Sequence, residues 1–495
     1  MNPLKKLAGQ TAIYGTSTIV ARLLNYLLVP LHTRIFAPDS YGVVGEMYAY
    51  VSLLIVLLTY GMETAFFRYY NNENNKDRVY SSILTSLSVS SVLFILFAWA
   101  FAQPIADLIL HPKHSEYVVW FAMIIAFDAL STIPFAKLRA ENKAKRFAYF
   151  KILNIGINVI LNLFYLLLCP YLLKHGILTH VISVIYNENT GVGYIFIANL
   201  IASGATLFFL FLSGGKSHFS FDWPLLKKML KYALPLLIFG LAGIINETMD
   251  RIFLKYLSPQ DIAMEQVGIY TACYKISILM TIFIQGFKYA AEPFFFANAK
   301  DSNAKQVFAD VMKYFVLACS LIFLGVMMYI DVVKFFVGEK YYVGLPVVPI
   351  LLMANLFLGV FYNLSIWYKL TDKTRFGAYI SLFGAIITII LNLTLIPVLG
   401  FMGSAWATFI CYFCMMVVSF ILGQRHYYIY YDLKRILTFL ILSAVLYGIS
   451  ALLDIQLYWL RLTVNSVFFV TFIVVVYYME HELISKLSFK KIFRR

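Results

Sequence analysis

The side chains in this sequence that could do chemistry are charges and amides set inside long apolar runs. Arg22 is the sharpest case. At 100° per residue, Thr11, Tyr14, Thr18, Arg22 and Asn25 fall within about 80° of arc, a polar stripe on an otherwise apolar helix. A guanidinium offers a planar fork of donors that matches an oxyanion; it would equally serve in an interhelical ion pair with Glu46, Glu63 or Glu247. A broader face gathers Thr271, Tyr274, Lys275, Gln285, Lys288 and Glu292. Lys275 is expected to avoid lipid, and oxyanion contact and ion pairing are both open to it. Lys288 lies nearer the opposite end of the same run, where the distribution of basic residues alone would place a lysine. Lys151, Asn154, Asn158, Asn162 and Tyr165 share another arc of about 80°. Their amides and phenol suit either a passing hydroxyl-rich solute or hydrogen bonds between helices, and the second use is the commoner. Among the acids, Glu46 and Glu63 flank one apolar run, Glu247 and Asp250 end another, and Asp128 sits within a third. They are candidates for coupling to an ion or proton, or for structural pairing. Asp107 and Asp331 lie near helix ends and are read as solvated.

The elements that hold these groups follow from composition. Of 495 residues 61% are hydrophobic and 13% charged, where a soluble domain carries about 25% charged residues. That leaves too little polar surface to coat a globule of this size. The apolar runs reach the ~20 residues that cross a ~30 Å hydrocarbon layer as a helix, and no barrel-like alternation of period two is present. The runs predict about 14 spans, near 9–31, 41–66, 82–110, 117–136, 147–170, 191–213, 229–250, 266–287, 314–333, 344–368, 376–398, 401–423, 436–453 and 457–478. The first is read as an uncleaved helix, because no small-residue cleavage site follows a compact apolar core.

Charge orients the spans. Of the 40 Lys and Arg, Arg22, Lys151 and Lys275 lie within or at the edge of spans. Arg34, Lys113, Lys174, Arg251, Lys255, Lys334, Lys340 and Arg461 fall on one side, and the remaining 29 on the other. Short Lys/Arg-rich loops stay cytoplasmic, so both termini are expected inside. The net charge of +15 is then a topology signal with some attraction to anionic lipid, and nucleic acid is not an expected partner.

The two halves echo each other at an offset of about 226–230 residues. Tyr41-Gly42-Val43 and Tyr48 answer to Val267-Gly268-Ile269 and Tyr274; Glu141–Phe147 answers to Asp372–Phe376; Asn158-x3-Asn162-Leu163 answers to Leu391-Asn392-Leu393. An offset of six helices preserves orientation, so the copies are expected to be related by a twofold along the membrane normal. The expected organisation is an N-lobe at 1–213, a cytoplasmic linker at 214–228, a C-lobe at 229–423, and a C-terminal helix pair with a basic tail at 424–495. Pro397, Gly400 and Gly403 predict a very tight hairpin between two spans.

Signals for other chemistry are weak. Ser213-Gly214-Gly215-Lys216-Ser217 has the tail of a phosphate-cradling loop, but Leu210 stands where that loop needs glycine. Cys411-x-x-Cys414 reads as small packing residues in a lipid-embedded helix. No metal-ligand spacing and no Ser–His–Asp set stands out, so no metal, cofactor or catalytic residue is expected.

Two segments carry a family resemblance. Gly15-x6-Arg22-x7-Pro30…Phe36-x4-Tyr41-Gly42 resembles the start of polysaccharide-transport proteins, and so does Ile390-Leu-Asn-Leu-Thr-Leu-Ile-Pro397-Val-Leu-Gly400-Phe-Met-Gly403-Ser-Ala-Trp-Ala-Thr408. These belong to the multidrug/oligosaccharidyl-lipid/polysaccharide exporter superfamily, whose O-antigen and capsule-repeat flippases this chain resembles most. The resemblance implies an all-α protein of two six-helix lobes plus two C-terminal helices in the bacterial inner membrane. It implies alternating-access transport of an oligosaccharide on a polyprenyl pyrophosphate, not an enzyme, working beside a polysaccharide polymerase and glycosyltransferases. On that reading Arg22, Lys275 and Lys288 are the pyrophosphate candidates, Asn154, Asn158, Asn162 and Tyr165 face sugar, and Glu46, Glu63, Glu247 and Asp250 are the coupling candidates. A cation-driven small-molecule exporter of the same superfamily is the alternative, although it would need acids more than bases. A membrane polymerase or ligase is a weaker one: the longest outer loop, 171–190, offers only His175, His180 and Glu188.

The topology is checked by thiol labelling in intact cells. A cysteine placed at Asn142 should resist a membrane-impermeant reagent, and one at Asn187 should react; labelling at Asn142 would mean a miscounted helix.

Overall fold

Backbone groups in lipid must pair within their own segment, and the described part of this chain meets that demand with helices alone. The computed structural model describes residues 15–16, 18–70, 76–213, 220–299, 301–453 and 455–486, and no strand occurs among them. The first apolar run is helical at 18–26 (α1) and at Val29–Ile35 (α2); Thr11, Tyr14 and the Gly214–Ser217 segment lie outside the described residues. There follow α3 (Pro38–Tyr70), α4 (Lys76–Ala100), α5 (Ser115–Ala140), α6 (Ala144–Lys174), α7 (Gly193–Ser213) and α8 (Trp223–Leu257). Next come α9 (Ala263–Ile276) and α10 (Ile278–Asn298), then α11 (Ala304–Met328), α12 (Val347–Leu370), α13 (Arg375–Leu399), α14 (Phe401–His426) and α15 (Leu433–Leu452). The last is α16 (Tyr458–Lys486). Among the described residues twelve helices are long and apolar enough to cross a membrane, and α9 with α10 makes a thirteenth as one broken span.

Helix ends follow local chemistry. Pro38 occupies the first turn of α3 after an extended Ala37, where its missing N–H costs nothing. Asp222 caps α8 by accepting from the Leu225 N–H at 3.0 Å, and Asp432 caps α15 by accepting from the Arg435 N–H at 3.1 Å. The expected tight hairpin is present: Gly400, at φ +55°, is the single residue between α13 and α14. Pro397 does not stop α13, which runs two residues past it. In α6 a π-helical turn at Phe164–Leu168 resets the periodicity from which Tyr165 was placed on the asparagine face.

The chain groups into two compact units. The first holds residues 1–275, 337–344 and 378–411; the second holds 276–336, 345–377 and 412–495. Within the first, α3 and α9 cross with almost no space between backbones. A methyl group added to Gly42 would fall on the Met264 carbonyl, and one added to Gly268 on the Pro38 carbonyl. These are the glycines that the internal repeat equates, and at the 226-residue offset Pro38 answers to Met264. The two contacts are therefore exchanges of one another, as a local twofold requires. The repeated asparagines behave alike too. Asn162 donates to the Asn158 carbonyl at 2.8 Å and Asn392 to the Thr388 carbonyl at 2.7 Å, each one turn back along its own helix.

In the second unit α11 is the spine. Its Lys313 pairs with Glu480 of α16 at 2.8 Å, and Glu480 also accepts from Arg435 of α15 at 3.0 Å. Toward the other end of α11, Asn465 donates to the Met328 carbonyl at 2.9 Å, and Arg461 pairs with Asp331 at 2.7 Å. Asp331 is thus held by Arg461 and Lys334, and the expectation that it is merely solvated fails.

Substituting the crossing glycines checks the geometry. Gly42→Ala and Gly268→Ala should each lower the thermal midpoint of the purified protein, by the equivalent of about 1–3 kcal/mol of overpacking. Gly156→Ala, whose methyl would meet nothing within 4 Å, should be neutral or mildly stabilising.

Candidate functional site

The α3–α9 crossing fixes the frame of a charged cluster in the first unit. Lys275, near the end of α9, places its ammonium 5.4 Å from the centre of the Tyr26 ring of α1. That is a cation–π contact and not an ion pair. Arg22 of α1 and Arg251 of α8 both act electrostatically on Lys275, and Arg22 also acts on Lys151 of α6. Neither Arg22 nor Lys275 forms an ion pair with any described residue.

Arg251 is provided for. It pairs with Asp250 at 3.1 Å, and its guanidinium lies 4.6 Å from the Tyr274 ring centre. Tyr270 donates to the second oxygen of Asp250 at 2.6 Å. Asp250 is therefore spent within this network. Glu247, one turn earlier on α8, is exposed and acts electrostatically on Tyr26, Tyr274 and Arg251, but its carboxylate makes no ion pair with a described residue. The cluster thus holds three cations against two carboxylates, one of them committed. In a low-dielectric setting such a surplus favours a bound anion.

The acids suspected of pairing with Arg22 are engaged elsewhere or stand alone. Glu46 of α3 is fully buried, accepting from Lys255 of α8 at 2.6 Å and lying 2.8 Å from His111 Nε2. Lys255 also donates to the Ile109 carbonyl. Glu63 pairs with Arg139 of α5. Sequence reading set Arg251 and Lys255 in an outer loop; instead α8 continues to Leu257 and buries both, because each has a carboxylate partner. The network of Glu46, Lys255 and His111 had no sequence signal, since its members lie 65 to 209 residues apart.

The amide stripe of α6 is tied between helices in this conformation. Asn154 donates to Thr206 at 3.0 Å and Asn158 to Asn25 at 3.1 Å. Asn162 meets His32 at 2.8 Å, and Tyr165 stacks on Tyr194 at 4.6 Å. Lys151 rests over the Phe135 ring at 4.4 Å. The broad face expected from Thr271 to Glu292 is not continuous, because the helix breaks at Ser277. Lys275 belongs to the first unit, and Lys288 to the second, where it lies 4.7 Å from the Tyr362 ring centre beside the Lys369–Glu292 pair. All five cysteines are free thiols, and among the described residues no three metal-ligating side chains converge.

The described helices define a polytopic all-helical protein, with twelve helices long and apolar enough to cross a membrane. Residues 7–299 match the family of polysaccharide biosynthesis proteins, and the chain belongs to that family. A Haemophilus influenzae protein of the Lsg locus is 21% identical over 436 residues, spanning 84% of this chain and 99% of its own. Among solved structures, the lipid II flippase MurJ in an inward closed conformation superposes with a TM-score of 0.69 at 15% identity, covering 96% of this chain and 100% of that one. An inward-facing multidrug resistance transporter of the MATE family does so with a TM-score of 0.64 at 15% identity, covering 83% and 94%. At that identity the likeness to both is one of fold.

Breaking the buried triad should be costly. Glu46→Gln or Lys255→Met alone leaves one polar partner stranded and should destabilise by about 3–5 kcal/mol. The apolar pair Glu46→Leu with Lys255→Met should recover most of that loss, read as thermal midpoints of the purified protein. Equal damage in the double variant would mean the triad has a role beyond pairing.

Proposed function

We propose that this protein flips an oligosaccharide linked to a polyprenyl pyrophosphate across the bacterial inner membrane by alternating access, with both termini cytoplasmic. The carrying observation is the charge imbalance around Arg22 and Lys275: two cations from different helices, within electrostatic range of each other and without a carboxylate partner among the described residues. A pyrophosphate supplies the missing anion, and the fork of Arg22 matches its oxygens. Membership of the polysaccharide biosynthesis family and the fold shared with a lipid II flippase support a lipid-linked sugar as cargo. In this reading the repeated lobes are 1–213 and 229–423, the linker is 214–228, and residues 424–495 add a helix pair. Asn154, Asn158, Asn162 and Tyr165 would turn to sugar only by giving up their interhelical bonds. Lys288 contributes at a different stage of the cycle from Lys275. The protein acts without catalytic chemistry of its own, beside the polymerase and glycosyltransferases that use and make its cargo.

One observation favours the alternative of a cation-coupled exporter. Glu247 holds a carboxylate in the cluster with no direct partner among the described residues, as a coupling acid would.

Charge substitution at Arg22 decides between them. Arg22→Glu should abolish surface polysaccharide, Arg22→Lys should keep part of it, and Arg22→Ala should fall between, with membrane levels of the protein unchanged. Full export by a stably expressed Arg22→Glu protein would remove the pyrophosphate role. Loss of function in Glu247→Gln with Arg22→Glu tolerated would favour the exporter.

A further inference from the structure

Away from the charged cluster, the first unit has a recess of about 410 Å³ lined by Lys145, Arg146, Tyr149 and Phe150 of α6 and Ser213 of α7. Its volume falls in the roughly 300–1,000 Å³ range of small-molecule sites. Lys145 and Arg146 are exposed and make no ion pair with any described residue. The nearest acid in sequence, Glu141, is already taken: it pairs with Lys143 at 2.6 Å and accepts from Tyr70 at 3.1 Å. Two uncompensated cations on consecutive residues therefore face one opening.

The walls say which anion fits. Tyr149 and Ile152, one turn apart on α6, are 61% and 47% exposed, and Phe208 and Leu212, one turn apart on α7, are 63% and 72% exposed. These faces belong to helices that cross the membrane, so what covers them is hydrocarbon. The recess lies at the ends of the same two helices, where lipid headgroups sit. A free inorganic anion would use the cations and leave the apolar faces unmatched; a molecule with an anionic head and apolar tails uses both. Basic pockets between helix ends are suited to such headgroups, and an aromatic ring at the rim is at home at the interface.

We propose that this recess binds the headgroup of an anionic phospholipid, with Lys145 and Arg146 on the phosphate and the acyl chains along the exposed faces of α6 and α7. The site is separate from Arg22 and Lys275 and does not depend on the identity of the cargo. Its occupant is a resident lipid that ties the turn between α5 and α6 to the membrane surface.

The test uses the full chain in nanodiscs of mixed phosphatidylglycerol and phosphatidylcholine, with retained lipid counted by native mass spectrometry. Lys145→Ala with Arg146→Ala should cut retained phosphatidylglycerol by roughly thirtyfold, the order expected for two membrane-proximal cations. Lys373→Ala with Arg375→Ala removes equal charge from another basic loop and should leave retention unchanged. Both pairs are exposed, so the thermal midpoint should not move in either. Equal loss in the two double variants would overturn the proposal by reducing it to general surface charge, and so would no loss in the first. Displacement of the lipid by millimolar inorganic phosphate would also overturn it, since the headgroup anion alone would then suffice without its tails.

Discussion

The close crossing of α3 and α9 is the constraint on which the rest of the first unit depends. Without a hydrophobic drive between helices in lipid, backbones approach only where side chains are absent. Gly42 and Gly268 supply that absence at repeat-equivalent positions, and each places its helix against a carbonyl of the other. Glu46 follows Gly42 by one turn, and Tyr274 and Lys275 follow Gly268 by about two. The twofold logic of the crossing brings together equivalent backbones, while the side chains beyond it have diverged: Glu46 faces Lys255 on one side, and Lys275 faces Tyr26 on the other.

That divergence separates two uses of charge set within apolar helices. Paired groups such as Glu46 with Lys255, Arg251 with Asp250 and Lys313 with Glu480 hold helices together and have little left to offer a solute. Unpaired groups do not help the fold, and their cost must be met in some other way. Arg22 and Lys275, which have no ion-pair partner among the described residues, are of the second kind. Reading an intramembrane charge as functional is safe only after its partner has been sought in space, and here that search sorts the candidates in a way that depth along a helix could not.

Much of the fold was legible because lipid simplifies the code. Most helix ends come within a few residues of where the apolar runs and the Lys/Arg clusters put them. However, α4 ends at Ala100 and not 110, α10 runs to Asn298 and not 287, and α11 begins at Ala304 and not 314. Gly400 announces its hairpin. The repeat was visible in Gly42 and Gly268, although nothing in the letters says that the two touch. Three features stayed hidden for physical reasons. Lys255 looked like a loop residue because its carboxylate partner is 209 positions away. The break at Ser277 carries no proline or glycine; its hydroxyl instead takes a hydrogen bond from Asn355 at 3.3 Å. The π-turn at Phe164–Leu168 leaves no compositional trace. The site was legible as a set of residue types, whereas the division of that set between the two compact units was not, since it depends on where the eighth span is interrupted.

The double tether of the last two helices has a historical consequence. Lys313 and Glu480 are almost wholly buried, at 3% and 2% exposure, so each depends on the other being present. With a basic residue on α11 answered by an acid on α16, deleting α16 would strand an ammonium in hydrocarbon. A helix held in this way becomes obligatory whatever else it contributes. Descendants would retain it by a ratchet of mutual dependence, and its persistence alone would be no measure of its usefulness.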